Sequence, residues 1–341
     1  MIKNAIVACA GTTLSPEERY LFAHMQPWGI ILFSRNIQNK AQIVALINDV
    51  KSAMGRDHLM VFIDQEGGRV SRLPSEHWRV PPSPTVFAKL YSRDPELAKQ
   101  ACFLNAQLTG LELKSLGINV NCAPMIDVPQ DNSAAIISER ALGHSHQQVT
   151  DLAIQIISGA RSTGVASVIK HMPGHGRAVS DSHLTLPHVN ASLDVLCASD
   201  FVPFIALNKH SMAMTAHIIF DQIDANLPAT ISPTIVNKVM RQDIGFNGLI
   251  MTDDINMNAL SGNIGSRARQ SIEAGCDMVL HCSGDLTEMQ ALNDAVITLT
   301  PAILKRVKAA EAEAFAPMPD ISQSDVTAAL NEVMAKAAKL I

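Results

Sequence analysis

Residues 248–254 read Gly248-Leu249-Ile250-Met251-Thr252-Asp253-Asp254, a short apolar run with two carboxylates directly behind it. A run of about four to eight apolar residues suits a buried strand better than a helix. The same pattern recurs at Ile6–Ala8, Gly29–Phe33, Leu59–Ile63, Ile118–Ala123, Ser167–Lys170, Met212–Ala216 and Met278–His281. Longer amphipathic segments lie between these runs. Ser15-Pro16-Glu17-Glu18 opens one helix with an N-cap, a proline and two acids, and Ser232-Pro233 opens another. Gly55, Gly117, Gly164, Gly245 and Gly275 each close a helix just before the next strand. Ala98–Leu116 carries Leu104, Leu108, Leu111 and Leu113 at helical spacing.

Eight strands, each followed by a helix, predict an α/β fold of the closed (β/α)8 TIM-barrel type in a single domain. An open doubly wound sheet would carry a Gly-rich dinucleotide turn after its first strand, and the chain has none there. The barrel is expected to span residues 1–300. The Ala/Lys/Glu-rich segments Lys305–Phe315 and Val326–Leu340, within residues 301–341, read as C-terminal helices packed outside it.

Composition narrows the function classes. With 47% hydrophobic residues in 341, the chain can bury a large core, which excludes intrinsic disorder. A net charge of −5 gives no electrostatic footprint for nucleic acid or an anionic membrane. No run approaches the roughly 18 apolar residues of a membrane span. Lys3 and the apolar run to Ala10 faintly imitate a signal peptide, but a first buried strand accounts for them better. The six cysteines form no C-x-x-C pair, and Cys9 and Cys122 sit in apolar runs, as buried free thiols of a cytoplasmic protein would. No obligate protein partner is implied.

Polar residues gather behind the strands: Asp64 and Glu66 after the third, Asp127 after the fourth, Lys170 and His171 at the fifth, His217 after the sixth, Asp253 and Asp254 after the seventh, His281 at the eighth. Charges at the C-terminal ends of several parallel strands converge at the top of a barrel, where such enzymes hold their chemistry. The loop after the fifth strand is the richest. Lys170-His171-Met172-Pro173-Gly174-His175-Gly176 is followed by Ser180-Asp181-Ser182-His183 and His188, so four of the chain's twelve histidines fall within eighteen residues. A solvated histidine-rich loop is the plain account. A metal site is a sharper one, although the histidines do not share a helix face and no H-E-x-x-H occurs. Lys170 at a strand end also admits a Schiff-base aldolase, against which the surrounding acids keep the lysine charged.

At these residues the sequence resembles the bacterial β-N-acetylhexosaminidases of glycoside hydrolase family 3. The likeness runs from Gly29 to about Gly284 and rests on 170–176, on Asp181-Ser182-His183 and on Ile250-Met251-Thr252-Asp253-Asp254. Ile63-Asp64-Gln65-Glu66-Gly67-Gly68-Arg69-Val70 and Ser138-Glu139-Arg140 support it. Met172 stands where the family usually has phenylalanine. The resemblance implies a retaining enzyme that removes terminal β-linked N-acetylglucosamine from a small carbohydrate substrate, with muropeptides bearing anhydro-N-acetylmuramic acid as substrates in cytoplasmic peptidoglycan recycling. It implies Asp253 as nucleophile; alternation along a strand alone does not choose it over Asp254. It implies Asp181 and His183 as an acid/base dyad, and Asp64, Arg72, Arg140, Lys170 and His171 as ligands of the sugar hydroxyls. No metal or organic cofactor is implied. A metal-dependent barrel hydrolase and a sugar-binding protein without turnover are the rivals.

Overall fold

Ala166–Ser167 and Ile169–Met172 stand at the two ends of the strand order, yet they are halves of one segment broken at Val168, so the sheet closes on itself. The computed structural model describes residues 1–131, 133–180, 185–317 and 320–341. Its barrel strands are β1 (Lys3–Ala8), β2 (Pro27–Leu32), β3 (Met60–Ile63), β4 (Val120–Asn121), β5 (the two halves just named), β6 (Met212–Thr215), β7 (Leu249–Asp254) and β8 (Met278–His281). Each pairs in parallel with its neighbours in sequence, and β1 pairs with β8. All eight expected strands are present. β4 is shorter than the expected Ile118–Ala123 because its asparagine side chains enter the ladder: Asn119 Oδ1 accepts the Val61 N–H at 2.8 Å and its Nδ2 donates to the Leu59 carbonyl at 3.0 Å.

The N-terminal run is a central barrel strand, with Ala5, Ile6 and Ala8 fully buried. Trp28, Phe62, Val120, Met212, Met251 and Leu280 fill the barrel interior, as the fold requires of inward positions. Alternate residues such as Val7, Ile30 and Val61 face outward onto the helices. Local signals behave as their chemistry demands. Ser15 Oγ accepts the Glu18 N–H at 3.1 Å while Glu18 accepts the Ser15 N–H at 2.9 Å, a complete capping box before Pro16–Met25. All five helix-closing glycines have positive φ, from 63° at Gly55 to 112° at Gly275, where a side chain would be strained.

Of the two C-terminal helices, Gln323–Ala337 lies outside the barrel, seating Val326 and Leu330 on Leu108 and Leu111 of the Pro95–Lys114 helix. Pro301–Ala314 does more than lie outside. Its Ile303, Val307, Ala310 and Ala314 join the interior cluster of strand-start residues and close the barrel's N-terminal end. Trp28 Nε1 donates to Glu311 at 2.9 Å and Arg306 pairs with Asp277 at 2.8 Å to hold it there. Among the described residues no helix is long and apolar enough to cross a membrane. All six cysteines are free, five of them buried and Cys197 exposed.

Candidate active site

At the C-terminal end of the strands a cleft of about 1140 Å³ opens to solvent, lined by Asp64, Glu66, Arg72, Arg140, Lys170, His171, Asp253 and Asp254 among others. Four segments bring these groups together, Arg140 entering from the loop behind the short helix Ala135–Ser138. β5 carries Lys170 and His171, and β7 carries Asp253 and Asp254. Glu66 and Arg72 come from a small hairpin, Gln65–Gly67 against Val70–Ser71, that follows β3. The hairpin is bolted to the barrel: Asn121 Oδ1 accepts the Gln65 N–H and its Nδ2 donates to the Gln65 carbonyl, both at 3.0 Å. Gly67 has a φ of 109°, and a Cβ there would stand 2.3 Å from the Pro82 carbonyl oxygen, so the close approach needs glycine.

One floor of the cleft is an ionic network. Lys170 Nζ lies 2.8 Å from Asp64 Oδ1 and 2.6 Å from Glu66 Oε1. Arg140 grips Glu66 with both arms, Nε at 2.8 Å and Nη2 at 2.7 Å, and Arg72 reaches Asp64 at 3.2 Å. Burial alone would raise the Asp64 and Glu66 carboxyls, but Lys170 with Arg72, and Arg140 with Lys170, hold them below the usual carboxylate range. The same acids overcome the burial of Lys170 and hold it charged. A charged lysine is the wrong species for Schiff-base attack, which weighs against an aldolase. Glu66→Ala would leave the buried Arg140 without its ion-pair partner and Lys170 with Asp64 alone. We expect it to cost about 3–5 kcal/mol of stability, measured by urea unfolding.

The other floor is built on Asp127, buried completely behind the cleft. Its carboxylate accepts His171 Nδ1–H at 2.8 Å, the His171 amide at 3.2 Å and the His175 amide at 2.6 Å. A carboxylate only accepts, so Nδ1 carries the proton and Nε2 is turned toward the cleft, 4.0 Å from Asp253 Oδ2.

Geometry separates the two neighbouring aspartates. Burial acts to raise Asp253, yet the His171 and His217 rings, the Asp254 N–H and Lys170 keep its carboxyl below the ordinary value. Burial, aided by the Asp253 charge, pushes Asp254 up. Asp254 Oδ1 is turned to the loops that follow β7 and β8, accepting the Asn256 N–H at 3.0 Å and the Cys282 N–H at 3.1 Å. Of the two neighbours, Asp253 is thus the one whose carboxyl is held below its ordinary range, with 19% of its side chain exposed at the cleft.

Asp64, Arg72, Arg140, Lys170, His171 and Asp253, singled out in the sequence, therefore share one cleft. Asp181 and His183 lie outside the described residues. Three strand-end groups do not line the mouth. Asp127 and His217 are buried behind it, and His281 pairs with Glu288 at 3.0 Å. Among the described loop histidines, the His171 and His175 rings lie 5.5 Å apart, burial driving the His175 pKa down to about 4, while His188 sits apart on a peripheral strand pair and bonds Asp221 at 2.8 Å. Among the described residues no three His, Cys, Asp or Glu side chains are arranged to hold a metal ion. Two roles escaped sequence reasoning: Glu66 as the hub of the ionic floor and Asp127 as the anchor of His171. An acid inside the apolar run Met125-Ile126-Asp127-Val128 was the available signal for the second.

The glycosyl hydrolase family 3 N-terminal domain family matches residues 5–312. A beta-hexosaminidase of Alkalilimnicola ehrlichii is 40% identical over 277 residues, covering 80% of this chain and 78% of its own. One from Haemophilus ducreyi is 36% identical over 311 residues, 89% of this chain and 87% of its own. Among solved structures, NagZ from Neisseria gonorrhoeae in complex with N-trifluoroacetyl-D-glucosamine is similar at a TM-score of 0.84 and 30% identity, over 99% of this chain and 97% of its own. NagZ from the same organism in complex with zinc ion is similar at a TM-score of 0.81 and 29% identity, over 99% and 96%.

Proposed function

The chain belongs to glycosyl hydrolase family 3, and from that premise we propose that it is a retaining exo-β-N-acetylglucosaminidase that hydrolyses terminal, non-reducing β-linked N-acetylglucosamine. The observation that carries the reading is an ionised, cleft-facing Asp253 opposite a network rich in donors for sugar hydroxyls. In the first step the Asp253 carboxylate attacks the anomeric carbon and the glycosidic C–O bond breaks. His183 gives a proton to the departing oxygen. In the second, His183 takes a proton from water, which displaces Asp253 and regenerates it. Retaining glycosidases normally use two carboxyl groups about 5–5.5 Å apart. A histidine in the second role has an unperturbed pKa of ~6.5, suited to giving and taking a proton near neutrality. Asp181 orients the imidazole and stabilises its protonated form.

Asp64, Arg72, Arg140, Lys170 and His171 bind the sugar in this reading. Lys170 and the arginines offer charged donors, and His171 Nε2 offers an acceptor or donor according to its protonation. Residues 1–300 form the catalytic barrel and 301–341 an extension of the same domain. The relatives' name, beta-hexosaminidase, and the N-trifluoroacetyl-D-glucosamine bound to the gonococcal NagZ support the sugar. We take the natural substrates to be anhydro-muropeptides met in the cytoplasm during peptidoglycan recycling. Release of N-acetylglucosamine from a purified N-acetylglucosaminyl anhydro-muropeptide tests that assignment, and its absence alongside turnover of a chromogenic β-N-acetylglucosaminide would refute it.

The zinc complex of the gonococcal NagZ favours testing a metal-dependent reading directly. Every step above uses side chains alone, so activity is expected to survive exhaustive dialysis against EDTA. Loss to background, restored by zinc or another divalent ion, would overturn the dyad mechanism in favour of metal-assisted hydrolysis.

A further inference from the structure

His217 has no exposed surface, follows β6 by two residues, and is not used by any step proposed above. Its Nε2 stands 3.0 Å from the Asp254 carbonyl oxygen and its Nδ1 2.7 Å from Thr230 Oγ1. Thr230 Oγ1 is in turn 2.7 Å from Thr215 Oγ1, which accepts the Asp253 N–H at 3.4 Å. Thr215 and Thr230 are also completely buried.

The direction of each bond follows from what its atoms can do. A carbonyl oxygen only accepts, so His217 Nε2 carries a proton and donates it to Asp254. Burial favours the uncharged ring over the pull of the Asp253 carboxylate. In that ring Nδ1 has a lone pair and, at 2.7 Å, takes the Thr230 hydroxyl proton in preference to the Ala216 carbonyl at 3.1 Å. The Thr230 oxygen then accepts from the Thr215 hydroxyl, whose oxygen accepts the Asp253 amide. The relay starts on the N–H of Asp253 and ends on the carbonyl of Asp254, so it grips the backbone on both sides of the peptide joining them.

That grip matters because the Asp253 carboxylate has little else to aim it. Among the described residues it accepts one hydrogen bond, from the Asp254 N–H at 2.8 Å, and that N–H belongs to the gripped peptide. Asp254 is held from its far side by the Asn256 and Cys282 amides. A buried polar relay is costly unless every member is satisfied, and an apolar filling would serve stability alone as well.

We propose that His217, acting through Thr230 and Thr215, is a positioning residue that fixes the direction in which Asp253 meets the anomeric carbon. The inference rests on Asp253 being the nucleophile. Its test uses Thr230→Val and Thr215→Val, which keep shape and remove one hydroxyl each, with His217→Leu and His217→Gln beside them. A displacement of about 1 Å costs on the order of 10²-fold in rate. We therefore expect the valine and leucine variants to lose roughly 10–100-fold in the pre-steady-state glycosylation rate. Inhibition by free N-acetylglucosamine should stay unchanged, because the sugar ligands are untouched. His217→Gln keeps an N–H for the Asp254 carbonyl and should recover part of the rate. The double variant Thr230→Val/His217→Leu should be no slower than the worse single one, since a chain broken once is already broken.

Folded valine variants at the parental rate would overturn the relay, as would additive losses or an equal loss of inhibitor binding. Trapping the parent enzyme with a 2-fluoro sugar separates the two levels. A label away from Asp253 brings down both the relay and the nucleophile, whereas a label on Asp253 with full-rate valine variants brings down the relay alone.

Discussion

Asp253→Ala is expected to abolish turnover of a chromogenic β-N-acetylglucosaminide while the protein remains folded. A retaining mechanism passes through a covalent ester, and alanine offers no oxygen to form it. Loss of a nucleophile of this kind typically costs on the order of 10⁴–10⁶ in kcat. Stability should change little, for a reason visible at the site. The carboxylate is partly exposed to the cleft and, among the described residues, takes a single hydrogen bond, from the Asp254 N–H, so its removal leaves no buried charge unpaired among them. Removing Glu66 is different, because it strands Arg140 and takes one of the two acids paired with Lys170. A melting temperature near the parent's, with activity gone, would mark a chemical rather than a structural loss. Parent enzyme treated with a slow 2-fluoro-sugar substrate should carry the label on the peptide containing Met251–Asp254. A label on Glu66 or Asp127 would refute the assignment, but both carboxylates are already committed, Glu66 to two cations and Asp127 to His171.

The barrel was legible because its two signals are local. Buried parallel strands are short apolar runs, and a glycine closing a helix stands a few residues before five of them. Gly55, Gly117, Gly164, Gly245 and Gly275 mark those boundaries in the sequence and hold positive φ in the structure. The Gln65–Gly67/Val70–Ser71 hairpin gave no such sign. It is three residues against two, with glycines inside it, and it is held by Asn121 rather than by its own periodicity. Pro301–Ala314 is a helix packed outside the strands, as expected, but where it packs was not legible. Its Ala/Lys/Glu composition is that of a surface helix, yet the stripe Ile303, Val307, Ala310 and Ala314 meets the open end of the barrel, a contact only the tertiary fold supplies.

The site was legible as a set of residues and illegible as a set of partnerships. Lys170 and Asp64 are 106 positions apart, and nothing in either local sequence announces a 2.8 Å ion pair. Glu66, in a glycine-rich turn, looks like a solvated acid until Arg140 arrives from another loop. The choice between Asp253 and Asp254 likewise depends on which carboxylate the Asn256 and Cys282 amides capture, and those amides come from different loops. Strand-end charge thus located the mouth of the barrel but could not tell a lining group from a bracing one, as His217 and His281 demonstrate.

His183→Ala should do damage that depends on the leaving group. A sugar hydroxyl departs poorly as an alkoxide and needs its proton, whereas a nitrophenolate leaves with little help. General acid catalysis contributes about 10²–10⁴-fold, so glycosylation by the natural disaccharide should slow by about that factor. With a nitrophenyl glycoside the same step should slow much less. Asp181→Ala should act in the same direction, since the imidazole loses both its orienting partner and the nearby charge that favours its protonated form. Steady-state rates would blur the contrast. The same histidine activates water in the second step, so deglycosylation also slows and becomes limiting for the activated substrate. Pre-steady-state bursts isolate the first step for each leaving group. Equal losses on both substrates would mean that His183 only positions the sugar, and the acid would then have to be sought elsewhere in the cleft. His175 and Glu66 are the remaining candidates, but neither is well suited to donate. Burial drives the His175 pKa down to about 4, leaving the ring unprotonated at neutral pH. Arg140 and Lys170 hold Glu66 ionised, so it too lacks a proton to give.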